Sequence, residues 1–186
     1  MKMSPDGLAI TKHYENCHLE SYPDPASPLG KECTRRGLKV TAYRNIQNWP
    51  QLSGSPWTIG WGHTGDEVKP GIMWTQKQCD DALTADMAKF ERAVTMAVRV
   101  SLNQAQFDAL VDFTYNVGPG NLQSSTLLAK LNGGDYASVG KELRRWNKAG
   151  GQVMYGLVKR RAAGDARFNG APASTAIEIG DAQPRP

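Results

Sequence analysis

The hydrophobic pattern of the chain changes at Thr75, and this change limits the folds that the chain can adopt. Before Thr75, the segments Leu19–Tyr22, Leu38–Tyr43 and Trp57–Trp61 are short, rich in β-branched or aromatic residues and separated by Pro, Gly and Ser, which is typical of antiparallel strands. After Thr75, apolar residues recur every three or four positions, which is typical of helices. The sequence therefore predicts an α+β fold, with a small N-terminal β lobe, a larger helical lobe and a cleft between them.

Capping residues and glycines mark the expected ends of the helices. A first helix begins at Ser4 and Pro5 and ends near Asn16, so that Glu15 lies in its last turn. The long helix after Thr75 begins with a capping box formed by Thr75 and Gln78. Four more helices are predicted, in the ranges 104–117, 125–132, 136–149 and 156–168, with breaks at Gly118-Pro119-Gly120, Gly133-Gly134 and Gly150-Gly151.

The 186 residues fit one domain, which we place at residues 1–170. The polar, proline-rich range 25–55 is long for a connection inside a domain and is interpreted as an insertion in the β lobe. Residues 171–186 show no periodicity and are predicted to be a flexible tail. The three cysteines, Cys17, Cys33 and Cys79, cannot all pair within one chain, and whether Cys17 and Cys33 pair stays open.

Two carboxylates and one glycine-rich strand are the candidate catalytic features. Glu15, at the negative end of a helix, is expected to be protonated and to donate a proton, whereas Asp24, on a turn open to water, is expected to stay charged. Such a pair suits glycoside hydrolysis, although the same spacing also occurs among ordinary surface carboxylates. In the strand that follows, Thr58, Gly60 and Gly62 share a nearly bare face, and we interpret this face as the place where a sugar chain approaches.

The motifs of the chain resemble those of the phage endolysin lysozymes of glycoside hydrolase family 24, the T-even phage lysozyme-like group. Glu15 is followed after eight residues by Asp24, and Thr58-Ile59-Gly60-Trp61-Gly62-His63 matches the pattern that comes next in that family. Downstream, the ranges 102–118, 124–128 and 145–161 are similar to parts of the family's helical lobe. The resemblance covers about residues 4–168 and leaves the insertion and the tail outside it.

This resemblance implies hydrolysis of the β-1,4 bond between N-acetylmuramic acid and N-acetylglucosamine in peptidoglycan, without a metal or cofactor. Glu15 would protonate the leaving oxygen, Asp24 would activate water or stabilise the cationic centre, and Thr58 would hold that water. His63 would support the sheet. Four residues of the helical lobe match positions that contact the glycan or shape the cleft: Tyr115, Asn116, Ser125 and Arg145.

Each of these positions also has a structural interpretation. Tyr115 is equally typical of a core aromatic residue, and Asn116 of a residue that ends a helix. Ser125 suits a helix cap, and Arg145 suits an ion pair with a neighbouring acid. The gap of thirty-three residues between Asp24 and Thr58 departs from the short gap of the family. We favour an ordered insertion that leaves Asp24 in the base position, over an alignment of residues 41–45 that would place Asn45 there.

Charge and chain ends suggest partners and location. The net charge is +4, and eight basic residues stand between Lys141 and Gly170 against Glu142 and Asp165. The basic C-terminal helices are therefore expected either to form a solvated face or to contact an anionic polymer of the cell wall or the anionic lipid of an outer membrane. At its N-terminal end, the sequence shows no apolar run of the length of a signal peptide. The resemblance implies a monomer that accumulates in the host cytoplasm, reaches the periplasm and cell wall through a separate phage pore protein, and lyses the cell.

Two other functions compete with hydrolysis by a lysozyme. A lytic transglycosylase would use a single acid and form 1,6-anhydro products. A non-catalytic wall-binding protein would tolerate the loss of Glu15. A basic nucleic-acid binder would shift DNA on a gel, and a nucleic-acid partner is not expected.

Overall fold

The structure is a computed structural model that describes all residues from Met1 to Pro186. It divides into two compact units. The sheet unit comprises residues 15–86, and the helical unit comprises residues 1–14 and 87–186. A small antiparallel sheet in one unit and a set of helices in the other confirm the predicted α+β class.

The sheet unit is built on three antiparallel strands in the order β1-β2-β3. They are β1 (His18–Pro23), β2 (Trp57–Gly60) and β3 (His63–Thr64). Tyr22 pairs with Thr58 across β1 and β2, and Thr58 pairs with Thr64 across β2 and β3. The first and third predicted strands are therefore confirmed.

The second predicted strand is wrong, because its residues form a 3₁₀ helix at Val40–Asn45. The apolar side chains of this segment do not alternate between two faces of a sheet. Instead, Tyr43 is buried against Leu29, Cys33 and Ile46, in a small core that belongs to the insertion. Local backbone hydrogen bonds, such as that from the amide of Ile46 to the carbonyl of Tyr43, replace the bonds of a strand ladder.

The predicted insertion, residues 25–55, is ordered. It contains α2 (Pro28–Arg35), the 3₁₀ helix just described and a second 3₁₀ turn at Trp49–Gln51. Ser27 caps α2 by accepting a hydrogen bond from the amide of Gly30 at 3.0 Å. The buried cluster around Tyr43 also packs against Trp57 at the start of β2, so the insertion is attached to the sheet through apolar contacts.

The long predicted helix is confirmed as α3 (Gln76–Ala97), with its capping box. The amide of Thr75 donates to Gln78 Oε1 at 2.8 Å, and the amide of Gln78 donates to Thr75 Oγ1 at 3.2 Å. Although α3 has 22 residues, no helix of the structure is long and apolar enough to cross a membrane.

Gly60 lies directly against α3. Its φ is +63°, and a Cβ added there would stand 3.2 Å from Cys79 Cβ. Cys79 is fully buried. The close approach that the glycine indicated is therefore made by a helix of the protein itself, and the interpretation of this position as a bare face for a sugar chain is wrong.

A Gly60→Ala variant is expected to lose about 1–2 kcal/mol of stability, because a side chain in the left-handed region is strained and its methyl group would press on Cys79. Urea unfolding measures this loss. Gly156→Ala is the matched control, since Gly156 lies in a helix with open space around it and should gain stability from alanine. Equal unfolding midpoints for the two variants would refute this explanation.

The helical unit contains the predicted helices with two changes at their ends. They are α1 (Pro5–Tyr14), α4 (Gln104–Val117), α5 (Pro119–Ser124), α6 (Thr126–Asn132), α7 (Val139–Arg144) and α8 (Tyr155–Phe168). The predicted break at Pro119 instead begins α5, because proline fits the first position of a helix. The helix that was expected to reach Ala149 ends at Arg144, and β4 (Lys148–Ala149) and β5 (Gln152–Val153) form a hairpin around two glycines with positive φ.

Residues 171–186 are not the predicted flexible tail, because α9 (Ala173–Asp181) forms there. Ala173 and Ala176 are buried in a cluster with Ile10 of α1 and Ala163 of α8. Gly180 is also buried, against the backbone of Lys159. The buried face of α9 consists of small residues. Because large apolar side chains do not recur there at helical spacing, the sequence pattern does not indicate this helix.

Two buried ion pairs join α4 to α8. Arg160 Nη2 lies 2.7 Å from Asp112 Oδ1, and both side chains are less than 5% exposed. Thr11 of α1 donates to the same carboxylate oxygen at 2.9 Å. One turn earlier on α4, Asp108 accepts from Arg167 at 2.7 Å. Each of these buried arginines therefore has a carboxylate beside it, because a buried charge is stable only when an opposite charge is close.

Candidate active site

The two predicted catalytic carboxylates lie at the two ends of β1. Glu15 directly follows α1, which ends at Tyr14 rather than after Glu15, and Asp24 directly follows β1. Both are partly buried. Burial raises the pKa of Tyr22, and the negative charges of Glu15 and then Asp24 raise it further. Both carboxylates are therefore close enough to Tyr22 for their charges to act on its hydroxyl group.

Asp24 is held in a well-defined turn. Its amide donates to the carbonyls of Gly54, at 3.1 Å, and of Pro56, at 3.0 Å, and its Oδ1 accepts from the amide of Ala26 at 2.6 Å. The carbonyl of Asp24 accepts from Ser27, the cap of α2. The first residues of the insertion thus fix the backbone of Asp24 next to the start of β2.

Thr58 lies on the central strand of the sheet, directly opposite Tyr22. Residues opposite each other in an antiparallel pair project from the same face, so the Thr58 hydroxyl and the Tyr22 ring share one face of the sheet. Thr58 is 9% exposed. The charges of Glu15 and Asp24 thus both act on Tyr22, which lies opposite Thr58 and was not among the residues that the sequence indicated.

His63 is held between two carboxylates and an aromatic ring. Its Nδ1 lies 2.8 Å from Asp86 Oδ2, its Nε2 lies 2.7 Å from Glu67 Oε1, and its ring is 5.2 Å from that of Trp74. Burial lowers the pKa of His63, but the hydrogen bonds to Glu67 and Asp86 outweigh burial and raise it above its usual value. Since both ring nitrogens are engaged, these contacts suit the predicted supporting role.

Tyr115 and Asn116 stand near the end of α4. The Tyr115 ring packs edge-to-face on Phe90 at 5.2 Å. Asn116 Oδ1 accepts a hydrogen bond from the guanidinium of Arg161, which also donates to the carbonyl of Trp146 at 2.9 Å. Burial lowers the pKa of Arg161 to about 10, which keeps it charged at neutral pH. Asn116 therefore helps to satisfy a buried cation.

Asn116 also lines a pocket of about 390 Å³ within the helical unit. This pocket has both polar and apolar walls, formed by Asn116, Val117, Asn121, Trp146, Lys148, Ala149, Leu157 and Arg161. Trp146 falls within the helix predicted over 136–149, but in the structure it lies beyond the end of α7 and is only partly buried. An indole ring and an amide beside an open pocket are suited to contact with a sugar.

Ser125 and Arg145 have the structural contacts that were considered as alternatives. Ser125 caps α6, since its Oγ accepts from the amide of Leu128 at 3.0 Å and donates to the carbonyl of Leu122 at 2.7 Å. Arg145 lies 2.9 Å from the buried carboxylate of Glu142, while its own side chain is 63% exposed. Ser125 is itself 5% exposed, so its hydroxyl is committed to the helix end.

Most basic residues of the C-terminal helices are paired with carboxylates or buried. Three of them are paired with carboxylates: Arg144 with Asp165, Arg145 with Glu142, and Lys159 with Asp181. Three more are buried, namely Arg160, Arg161 and Arg167. Because Lys141, Arg144, Arg145 and Lys148 are exposed, contact between these helices and an anionic membrane stays a prediction.

No group of three or more His, Cys, Asp or Glu side chains is arranged as a metal site. The chemistry that the arrangement around Tyr22 offers is that of carboxylates and a hydroxyl group.

Comparison with known proteins shows the family to which the chain is related. The model of the phage lysozyme family matches residues 33–164, a range that includes Thr58, His63 and the four candidate residues of the helical unit and that begins after Glu15 and Asp24. The endolysin of Bacillus phage PZA is 46% identical over 133 residues, which are 72% of this chain and 50% of that protein. The endolysin of Bacillus phage B103 is 42% identical, over 46% of its length. The chain thus spans about half the length of these two relatives.

A full-length relative and two solved structures extend the similarity. An endolysin of Acyrthosiphon pisum secondary endosymbiont phage 1 is 33% identical over 92% of this chain and all of its own length. A variant of P22 lysozyme has 29% identity and a TM-score of 0.69 over 91% of this chain and 99% of its own. The muramidase domain of SpmX from Asticaccaulis excentricus has 26% identity and a TM-score of 0.69, covering 90% of this chain and 97% of its own. The predicted lysozyme-like fold is thereby confirmed, and the chain belongs to the phage lysozyme family.

Proposed function

We propose that this chain is an endolysin of glycoside hydrolase family 24, in the T-even phage lysozyme-like group, and that it hydrolyses the β-1,4 bond between N-acetylmuramic acid and N-acetylglucosamine in peptidoglycan. The observation that carries the proposal is that the charges of Glu15 and Asp24 both act on Tyr22, which lies opposite Thr58 in the sheet unit. Membership of the phage lysozyme family and the similarity to named endolysins support it.

Each of the three residues has a role in the proposed reaction. Glu15 protonates the leaving glycosidic oxygen. Asp24 remains ionised and either activates the attacking water or stabilises the oxocarbenium-like centre, and the turn that fixes its backbone keeps it in place. Thr58 holds the water through its hydroxyl. Tyr22, opposite Thr58, closes this face of the sheet with a hydroxyl group that burial and both carboxylates keep protonated.

Within the helical unit, the pocket beside Asn116 is the proposed place of glycan contact. Asn116 and Tyr115 stay candidates for substrate binding. Ser125 and Arg145 are proposed to act indirectly, the first by ending α5 and starting α6, and the second by compensating the buried Glu142. No metal or cofactor takes part in this proposal.

The proposed partner of the chain is peptidoglycan, and the proposed working form is a monomer. We place it first in the host cytoplasm and then, after release by a separate phage pore protein, at the periplasm and cell wall. The similarity to phage endolysins supports this course of events.

The products of the reaction test the proposal. Purified peptidoglycan digested with the protein and analysed by mass spectrometry is expected to yield fragments with hydrated N-acetylmuramic acid at their reducing ends, because water attacks the anomeric carbon. Fragments that end in 1,6-anhydro rings would instead identify a lytic transglycosylase. Undigested peptidoglycan that retains bound protein would identify a wall-binding protein without catalysis.

A further inference from the structure

Cys17 lies beside the face of α3 that carries Cys79. Cys17 precedes His18, which pairs with Gly60 across β1 and β2, and Gly60 lies against Cys79 with only 3.2 Å between its added Cβ and that of Cys79. A contact between Cys17 and Gln76 also places Cys17 beside this face of α3. Gln76 Nε2 lies 3.6 Å from Cys17 Sγ, and residues 76 and 79, three apart, are neighbours on one face of α3.

The two thiols also interact with each other. Burial, and after it a hydrogen bond with the Cys17 side chain, together raise the pKa of Cys79 to about 11. Cys79 is completely buried, whereas Cys17 is partly exposed. Cys33, the remaining cysteine, is buried in the core of the insertion with Leu29, Tyr43 and Ile46. These positions favour Cys79, and not Cys33, as the partner of Cys17.

We propose that Cys17 and Cys79 are a site of covalent modification, at which an intramolecular disulfide forms when the chain meets an oxidising environment. The cross-link would join the segment just after Glu15 to the first turns of α3, and it would enclose all three strands of the sheet unit. It depends on the positions of the two side chains and not on the proposed hydrolysis of peptidoglycan.

Because Cys17 is partly exposed and Cys79 is buried, Cys17 reacts with the oxidant first and Cys79 reacts second. The oxidant is a disulfide compound, such as oxidised glutathione or a protein disulfide. The Cys17 thiolate attacks one sulfur of this compound, which forms a mixed disulfide and releases one thiol. Cys79 then loses its proton and attacks Cys17 Sγ, and the second thiol leaves. Two protein thiols are oxidised, and one disulfide is reduced to two thiols, so that atoms and electrons balance.

The test exposes the folded full chain to oxidised glutathione, quenches with acid and counts thiols after denaturation. We expect one titratable thiol out of three, a monomer lighter by two hydrogen atoms, and a single cross-linked peptide pair that contains Cys17 and Cys79. In a Cys17→Ser variant, Cys33 and Cys79 are both expected to stay reduced, because Cys79 is then out of reach of the oxidant.

The cysteine of the insertion provides the matched control. A Cys33→Ser variant is expected to form the same cross-link as the unmodified chain. Three remaining thiols, a stable glutathione adduct on Cys17 without closure, or a cross-linked peptide that contains Cys33 would each overturn the proposal. Because peptide mapping of the unmodified chain gives these results by itself, the proposal stays testable even if a variant fails to fold.

Discussion

An Asp24→Asn variant is expected to digest peptidoglycan about 10²–10⁴ times more slowly than the unmodified protein, with little change in stability. Asparagine keeps the size of the side chain and an oxygen that can accept from the amide of Ala26, so the turn should persist. It lacks the negative charge that is proposed to activate water or stabilise the cationic centre. The loss of turbidity of permeabilised cells measures the rate.

Two control variants separate this role from general effects of charge and from the other alignment. Glu20→Gln removes a carboxylate from the same strand, where it is exposed and paired with Arg44, and should leave the rate nearly unchanged. Asn45→Ala alters the residue that the alternative alignment would place in the base position. A large loss of rate in Asn45→Ala, together with a normal rate in Asp24→Asn, would show that the proposed assignment of the base is wrong.

An Asp112→Ala variant is expected to lose about 3–5 kcal/mol of stability, because it removes the carboxylate that compensates the charge of Arg160 inside the helical unit. It also removes one of the two acceptors of the fully buried Thr11 hydroxyl, which keeps only the carbonyl of Gly7. Such a loss is a large fraction of the stability of an ordinary domain. Urea unfolding, followed by circular dichroism, measures it.

Asp81→Ala is the matched control for this prediction. Asp81 pairs with Lys77 on the exposed side of α3, where water and mobile ions weaken the attraction. We expect no measurable change in its unfolding midpoint. If Asp112→Ala unfolds at the same urea concentration as Asp81→Ala, the buried pair does not hold α4 to α8.

Much of the fold follows from local signals in the sequence. The capping box at Thr75 and the repeated apolar residues of α3 depend on residues within one or two turns of each other, so the sequence alone predicts them. The errors arose where distant contacts decide the structure. Tyr43 is buried in the insertion core together with Leu29 and Ile46, and α9 is held by small residues against α1 and α8.

The candidate site was predictable only in part. Spacing and family resemblance indicate Glu15, Asp24 and Thr58; in the structure the charges of the two carboxylates act on Tyr22, and Thr58 lies opposite it. Tyr22 itself was missed, because its importance depends on the register of β1 against β2, which no local pattern shows. Arg161 was missed as well. It was counted among surface cations, although it is 2% exposed and binds Asn116.

The most direct test of the proposed function is the rate at which a Glu15→Gln variant releases reducing ends from purified peptidoglycan. Glutamine keeps the shape of the side chain but has no proton to give to the leaving oxygen, so the rate should fall to the level of buffer alone while the unfolding midpoint stays that of the unmodified protein. A Glu15→Gln variant that folds normally and releases reducing ends at close to the normal rate would contradict the proposal that Glu15 is the proton donor.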